Sequence, residues 1–239
     1  MLVRSHILPE FLYKPIYDPD HRFGVVSSDV GLATYRIRKG VREYLLCEEC
    51  ERLLSKHETV VANEIRCIMD TICQNPGIER YDAKVSYLDW RLCILSIMLR
   101  VSLSRRDRFV GIEMGLEHET NLKNMLIEGN PGDPLRYAMI CACPLLWPGD
   151  AERKPDRRLI LFPSRFQFAD PTLFWFLAHG LMFWVYLSSD APPPYLAECT
   201  LRPDASWPIV IGDAERNPLI FGPLTEIGAA EQHRRAGGA

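Results

Sequence analysis

The chain has 239 residues, 47% of them hydrophobic and 25% charged, a globular composition with enough apolar surface for a sizeable core. A formal charge of −3 argues against a chain given over to non-specific nucleic-acid binding, although a local basic groove would escape a whole-chain sum. Pro9, Pro15 and Pro19 break the opening residues, which hold no apolar run of the secretory-signal kind, so a reducing cytoplasm is expected, with most of the eight cysteines as small buried apolar residues.

In chain order, residues 1–46 read as irregular to extended. Proline and aspartate punctuate SHILPEFLYKPIYDPDHRF, while GVVSSD and ATYRIRK are short extended pieces. Residues 48–73 read as a long helix. Leu53, Leu54, Val60, Val61, Ile65, Ile68 and Met69 recur at helical spacing on one face, and Pro76-Gly77 ends the segment. A second helix spans about Tyr87 to Ser104 and is apolar around most of its circumference, as a central core helix is. A third runs near Leu116 to Glu128 and closes at Gly129-Asn130-Pro131-Gly132.

From Tyr137 the period shortens. YAMICACPLL, RLILFPSRFQF, TLFWFLAH, LMFWVYLS and WPIVIG are short apolar or alternating runs separated by Pro, Gly and Asp, which predicts an antiparallel sheet. The run Pro171 to Leu187 is the one membrane candidate. It falls short of the roughly 20 apolar residues a spanning helix needs and contains His179 and Gly180. A buried strand pair or a core helix is expected there, bent at Gly180, and no membrane partner. The small, polar tail from Gly228 is expected to be disordered.

Two segments carry chemistry: Ser5-His6-Ile7-Leu8-Pro9, and Leu45-Leu46-Cys47-Glu48-Glu49-Cys50-Glu51. A Cys-x-x-Cys knuckle lets two thiolates reach one zinc ion from a tight turn, although a structural zinc needs four ligands. The plain alternative is a reduced pair capping a core helix. The His6 imidazole titrates near neutrality and can take a proton from water when a carbonyl or side chain orients it; otherwise it is an ordinary satisfied histidine. Glu51, His57 and Glu58 lie on the first turns of the long helix, where the helix dipole alone favours acids. Cys141 and Cys143 share one side of an apolar strand and read as core. Glu117-His118-Glu119 reads as a helix cap ahead of a site. Arg100, Arg105, Arg106 and Arg108 form the best basic cluster, a candidate for phosphate contacts, but Asp107 interrupts the run and an ordinary solvated loop is the favoured reading.

Together, SHILPEFLYKPIYDPDHRF, LLCEECERLLSKHE, the helix Tyr87 to Ser104, FVGIEMGLEHE and NLKNMLIEGNPGDP resemble a widespread bacterial HNH-endonuclease-like family. The resemblance covers roughly residues 5–135 well and the sheet region loosely. It implies an α+β fold: an N-terminal ββα-metal finger with a long helix over 1–75, a helical and antiparallel-sheet domain over 76–227, and the tail 228–239. It also implies metal-dependent phosphodiester hydrolysis of DNA, in defence against phage or other mobile elements. His6 would be the general base, with Cys47 and Cys50 on a structural zinc. Glu51 would be the carboxylate for a catalytic Mg²⁺ or Mn²⁺.

The chain departs from the family pattern at several positions. Ser5 stands where many active members carry Asp or His, Val41-Arg42-Glu43-Tyr44 where they often carry Asn, and Glu51 where they carry His. A first Cys-x-x-Cys pair, usual upstream of the SHI-P segment, is not among the four residues before Ser5, so an incomplete zinc site is expected. These departures define a rival reading, a catalytically inactive protein that keeps the finger as a structural or nucleic-acid-binding element.

Overall fold

A computed structural model describes residues 1–25, 35–145, 155–167, 172–187 and 192–213. The tail from Gly228 and the last four residues of GVVSSD lie outside the described residues.

Strand β1 (Leu2–His6) leads into a short helix α1 (Glu10–Tyr13). Strands β2 (Arg22–Val25) and β3 (Tyr35–Arg38) form a small antiparallel ladder. The chain then returns through Lys39-Gly40 to β4 (Arg42–Cys47), which pairs antiparallel with β1. Leu2 stands opposite Cys47 and His6 opposite Arg42, with an irregularity between Val3 and Arg4. Gly40 is needed at this return. Its φ is +69°, and a Cβ there would come 2.7 Å from Cε2 of the buried Tyr13 ring.

Helix α2 (Glu48–Gln74) follows β4 without a linker. Cys47 is its N-cap, and the thiol accepts the backbone N–H of Cys50 at 3.4 Å. Glu48, Glu49 and Glu51 fill the first turn, where the exposed N–H groups favour negative charge. Its buried stripe is Leu54, Val61, Ile65, Ile68, Met69 and Ile72; of the expected periodic face, Leu53 and Val60 are only half-buried, and Ile72 extends the stripe.

Helix α3 (Tyr87–Leu103) begins at Ser86, whose hydroxyl accepts the N–H of Asp89 at 3.4 Å. Every residue from Trp90 to Ser102 is buried, Arg91 and Arg100 included, so the helix runs through the middle of the molecule. It packs against α2 and against α4 (Leu116–Glu128). The expected acidic cap of α4 is not formed. Gly115 precedes it with no side-chain cap, and Glu119 instead accepts the Ser102 hydroxyl at 2.6 Å.

Trp90 carries α3 onto a six-stranded sheet, meeting Trp207 edge-on at a centroid distance of 5.2 Å and Phe183 at 5.9 Å. In chain order its strands are β5 (Arg80–Ala83), β6 (Ala138–Leu145), β7 (Leu161–Gln167), β8 (Thr172–Ala178), β9 (Leu181–Leu187) and β10 (Trp207–Asp213). Across the sheet they run β5-β10-β6-β9-β8-β7. The fold is therefore α+β, but the sheet is mixed rather than antiparallel throughout, because β10 runs parallel to β6. β6 and β10 share a direction because β7, β8 and β9 alternate between them, and β10 then pairs with β6 on the side away from β9; the described part of the connection from β9 holds helix α5 (Pro194–Glu198). Alternation of side chains is the same in both pairing directions, so the sequence pattern did not carry this.

The described part of the run, 172–187, takes the strand-pair alternative. Ala178 faces Leu181 across a two-residue turn, His179-Gly180, with φ of 58° and 83°. Two consecutive positive φ values mark the turn type whose twist matches a hairpin. No helix among the described residues is long and apolar enough to cross a membrane. Cys141 and Cys143 are fully buried in the core, as expected.

Candidate functional site

His6 ends β1 with its ring Nε2 3.0 Å from the carbonyl of Lys39. A carbonyl only accepts, so Nε2 carries the proton and Nδ1 keeps its lone pair. Burial lowers the imidazole pKa, and the Arg42 and Arg100 charges push the same way, against the Lys39 bond and Glu10. The ring is therefore neutral at neutral pH. Its backbone is held as firmly. The His6 carbonyl accepts Nη1 of Arg100 at 2.7 Å, and the next N–H, Ile7, donates to Val41 at 3.0 Å.

Arg100 fits neither the solvated loop favoured for the arginine cluster nor its phosphate-contact alternative. It is 1% exposed, and its Nη2 binds Glu58 at 2.6 Å and the Ser96 hydroxyl at 2.7 Å. Glu58 is thus a cross-helix ion-pair partner rather than only a first-turn acid. His57 has a similar role, its Nδ1 lying 2.7 Å from Asp89 of α3. Further bonds dock the end of α3 onto β4. Glu43 accepts the Ser104 hydroxyl at 2.6 Å and the Arg105 N–H at 3.1 Å, and Arg106 donates to the Arg42 carbonyl at 2.8 Å.

At the other end of the β1–β4 ladder, the Cys47 and Cys50 sulfurs are 3.3 Å apart. Tetrahedral zinc with bonds of about 2.3 Å would hold two thiolates about 3.8 Å apart, so the pair suits half of such a site. Hydrogen bonds from the Cys50 backbone and thiol lower the Cys47 thiol, while donating that bond raises Cys50. Among the described residues, no three His, Cys, Asp or Glu side chains gather as a metal site. The residues in place therefore do not by themselves complete a zinc site.

The ladder also separates the thiols from the imidazole. Cys47 pairs with Leu2, and His6 lies four residues further along β1, about 13 Å at the usual strand rise. Glu51 stays at the thiol end in the first turn of α2, half-buried, with Oε1 lacking a hydrogen-bond partner among the described residues. The α2 carboxylate joined to His6 through Arg100 is Glu58, two turns or about 10.5 Å further along the helix. His6 and Glu51 are thus not brought together, and the described residues do not complete a Mg²⁺ or Mn²⁺ site around them. Ser5, on the opposite face of β1, is 1% exposed, and its hydroxyl reaches only the Val3 carbonyl at 3.5 Å.

The surface around His6 is cationic despite the acidic total. Arg4, Arg36, Arg38 and Lys39 are exposed, Arg42 is half-buried, and none pairs with an acidic side chain among the described residues. Of the nearby acids, Asp18 and Asp20 meet Arg22 and Glu43 meets the end of α3, while the exposed Glu10 bears on the His6 ring. No protein-family model, no curated protein and no solved structure matches the chain.

Proposed function

We propose that the chain is an HNH-like nuclease that hydrolyses phosphodiesters in DNA, with His6 as its general base. The observation that carries this reading is the state of the His6 ring: neutral, with its Nε2 proton on the Lys39 carbonyl and Nδ1 left as an acceptor. Such a ring can take a proton from water as the oxygen attacks phosphorus. The Lys39 carbonyl dipole then favours the imidazolium that forms. Arg42, opposite the ring and without an acidic partner among the described residues, favours a bound phosphate and the charge that develops on it. The antiparallel pair β1–β4 running directly into α2 is what a ββα finger requires, and Cys47 and Cys50 supply two of the four ligands a structural zinc would need there.

Nicking of supercoiled plasmid in Mg²⁺ or Mn²⁺ tests the proposal on the wild type and His6→Ala. Cleavage by the first and not by the second is expected. Equal nicking by both, or by neither, ends the nuclease reading.

A second reading, a nucleic-acid-binding protein without cleavage, is favoured by the position of Glu51 two turns from the carboxylate joined to His6. DNA binding without nicking in either cation would select it.

A further inference from the structure

The outward face of the β1–β4 ladder carries side chains that proton transfer at His6 does not use. Arg4 stands opposite Tyr44, and His6 opposite Arg42. Paired residues share a face, and alternation returns every second residue to it, so these four lie on one side of the ladder. Ser5 and Glu43 take the other side, where Ser5 is buried and Glu43 is bound to Ser104 and Arg105. The only carboxylate on these two strands is therefore turned away from the outward face.

What remains outside is an aromatic ring in a cationic setting. Tyr44 is 65% exposed, an unusual position for a large ring on a paired strand. Arg4 beside it is exposed and Arg42, two residues along, is half-buried; neither has an acidic partner among the described residues. Arg106, which donates to the Arg42 carbonyl, adds a further guanidinium at the same edge.

We infer that this face binds single-stranded DNA, with one base stacked on Tyr44 and the flanking phosphates on Arg4 and Arg42. The inference rests on the reading of the chain as one that acts on nucleic acid, and it specifies the form of the strand. A duplex keeps its base faces covered, whereas an unpaired base offers a π-face of the kind that aromatic platforms take without regard to sequence. The charge on the face matches the phosphates, and the ring matches the base.

Fluorescence anisotropy of a labelled oligothymidylate of about 15 nucleotides, titrated with the full chain in EDTA, separates binding from cleavage. The oligothymidylate should bind more tightly than a duplex of equal length. Tyr44→Ala should weaken binding about tenfold, and Tyr44→Phe should restore it, since stacking needs the ring and not the hydroxyl. Arg4→Ala and Arg42→Ala should each lower the slope of log affinity against log salt by about 0.7. Tyr44 is exposed, and an unchanged circular dichroism spectrum confirms that its variants fold. Wild-type affinity in Tyr44→Ala, equal competition by duplex, or no binding by the wild type overturns the inference. Tyr44-dependent binding without His6-dependent nicking would sink the nuclease reading alone. His6-dependent nicking with binding indifferent to Tyr44 would sink this inference alone.

Discussion

Arg100 of α3 donates to the main-chain carbonyl of His6 at 2.7 Å, a bond between residues 94 positions apart. It ties the strand that carries the imidazole to the central helix. The same guanidinium also meets Glu58 and Ser96. The location of the ring is thereby set by the interior of the molecule.

Removing that guanidinium should cost far more than a surface ion pair would. Arg100→Met leaves the Glu58 carboxylate and the His6 carbonyl without their partner in a buried setting, an expected loss of about 3–5 kcal/mol in urea unfolding followed by circular dichroism. Arg100→Lys should fall between, because one ammonium cannot reproduce the planar fork. A wild-type midpoint in Arg100→Met would show that the clamp contributes nothing.

The pH dependence of any nicking activity should follow the base. Burial holds the His6 imidazole below its ordinary range near 6.5, and only the neutral ring accepts a proton. The rate should rise with pH and level off before neutrality, with its acid limb centred below about 6.5. A limb centred above 7 would assign the base to another group.

His179 makes stability pH-dependent in the same direction. Burial, with Arg157 nearby, lowers its folded pKa to about 4, whereas the unfolded ring titrates near 6.5. Between those values the unfolded chain binds more protons, so stability is full above about 6.5 and declines as pH falls towards about 4. His179→Asn keeps a residue that tolerates the φ of 58° and should flatten most of that decline. Urea midpoints at pH 7 and pH 5 for both proteins measure it.

Two glycines should respond differently to an added methyl. At Gly40 an added methyl meets the Tyr13 ring at a φ of +69°, so Gly40→Ala should lose about 1–3 kcal/mol. It should also shift the NMR titration of His6, because the neighbouring Lys39 carbonyl moves. A Cβ at Gly24 has nothing within 4 Å, and Gly24→Ala should leave the melting temperature nearly unchanged.

The thiol at the start of α2 is expected to act as a cap. Cys47→Ser preserves an acceptor for the Cys50 N–H, whereas Cys47→Ala should cost about 1 kcal/mol. Thermal melts of the two variants, compared with the wild type, distinguish a cap from a thiol with no structural part.

The three long helices were legible because their apolar residues repeat at helical spacing; α2, α3 and α4 end within a residue of their expected limits. Strand β5 was not, because the alternation of Arg80-Tyr81-Asp82-Ala83 spans only four residues, and the segment becomes a strand by pairing with β10. Arg100 reads with the loop arginines that follow it, although it lies seven residues after Cys93 on a helix whose other positions from Leu92 to Val101 are apolar apart from Ser96. A charge inside such a run was the available sign of a buried ion pair. The SHI-P and Cys-x-x-Cys segments do fall on one ladder. Their placement at opposite ends depends on strand register, which residue spacing along the chain does not encode. Tyr44 enters the sequence reading only within the stretch where the family carries Asn, because the segment before the knuckle has no clear period and neither its strand nor its outward direction can be read.

The place of β10 inside the sheet has a consequence for how the molecule is made. β5 and β6 have no contact edge in common until Trp207–Asp213 slots between them. A nascent chain halted before Trp207 would present two bare strand edges in the middle of the assembly rather than at its rim, a template for joining other chains. Sheet closure thus waits on nearly the last described segment to leave the ribosome, and the growing polypeptide is most prone to aggregate just before that point.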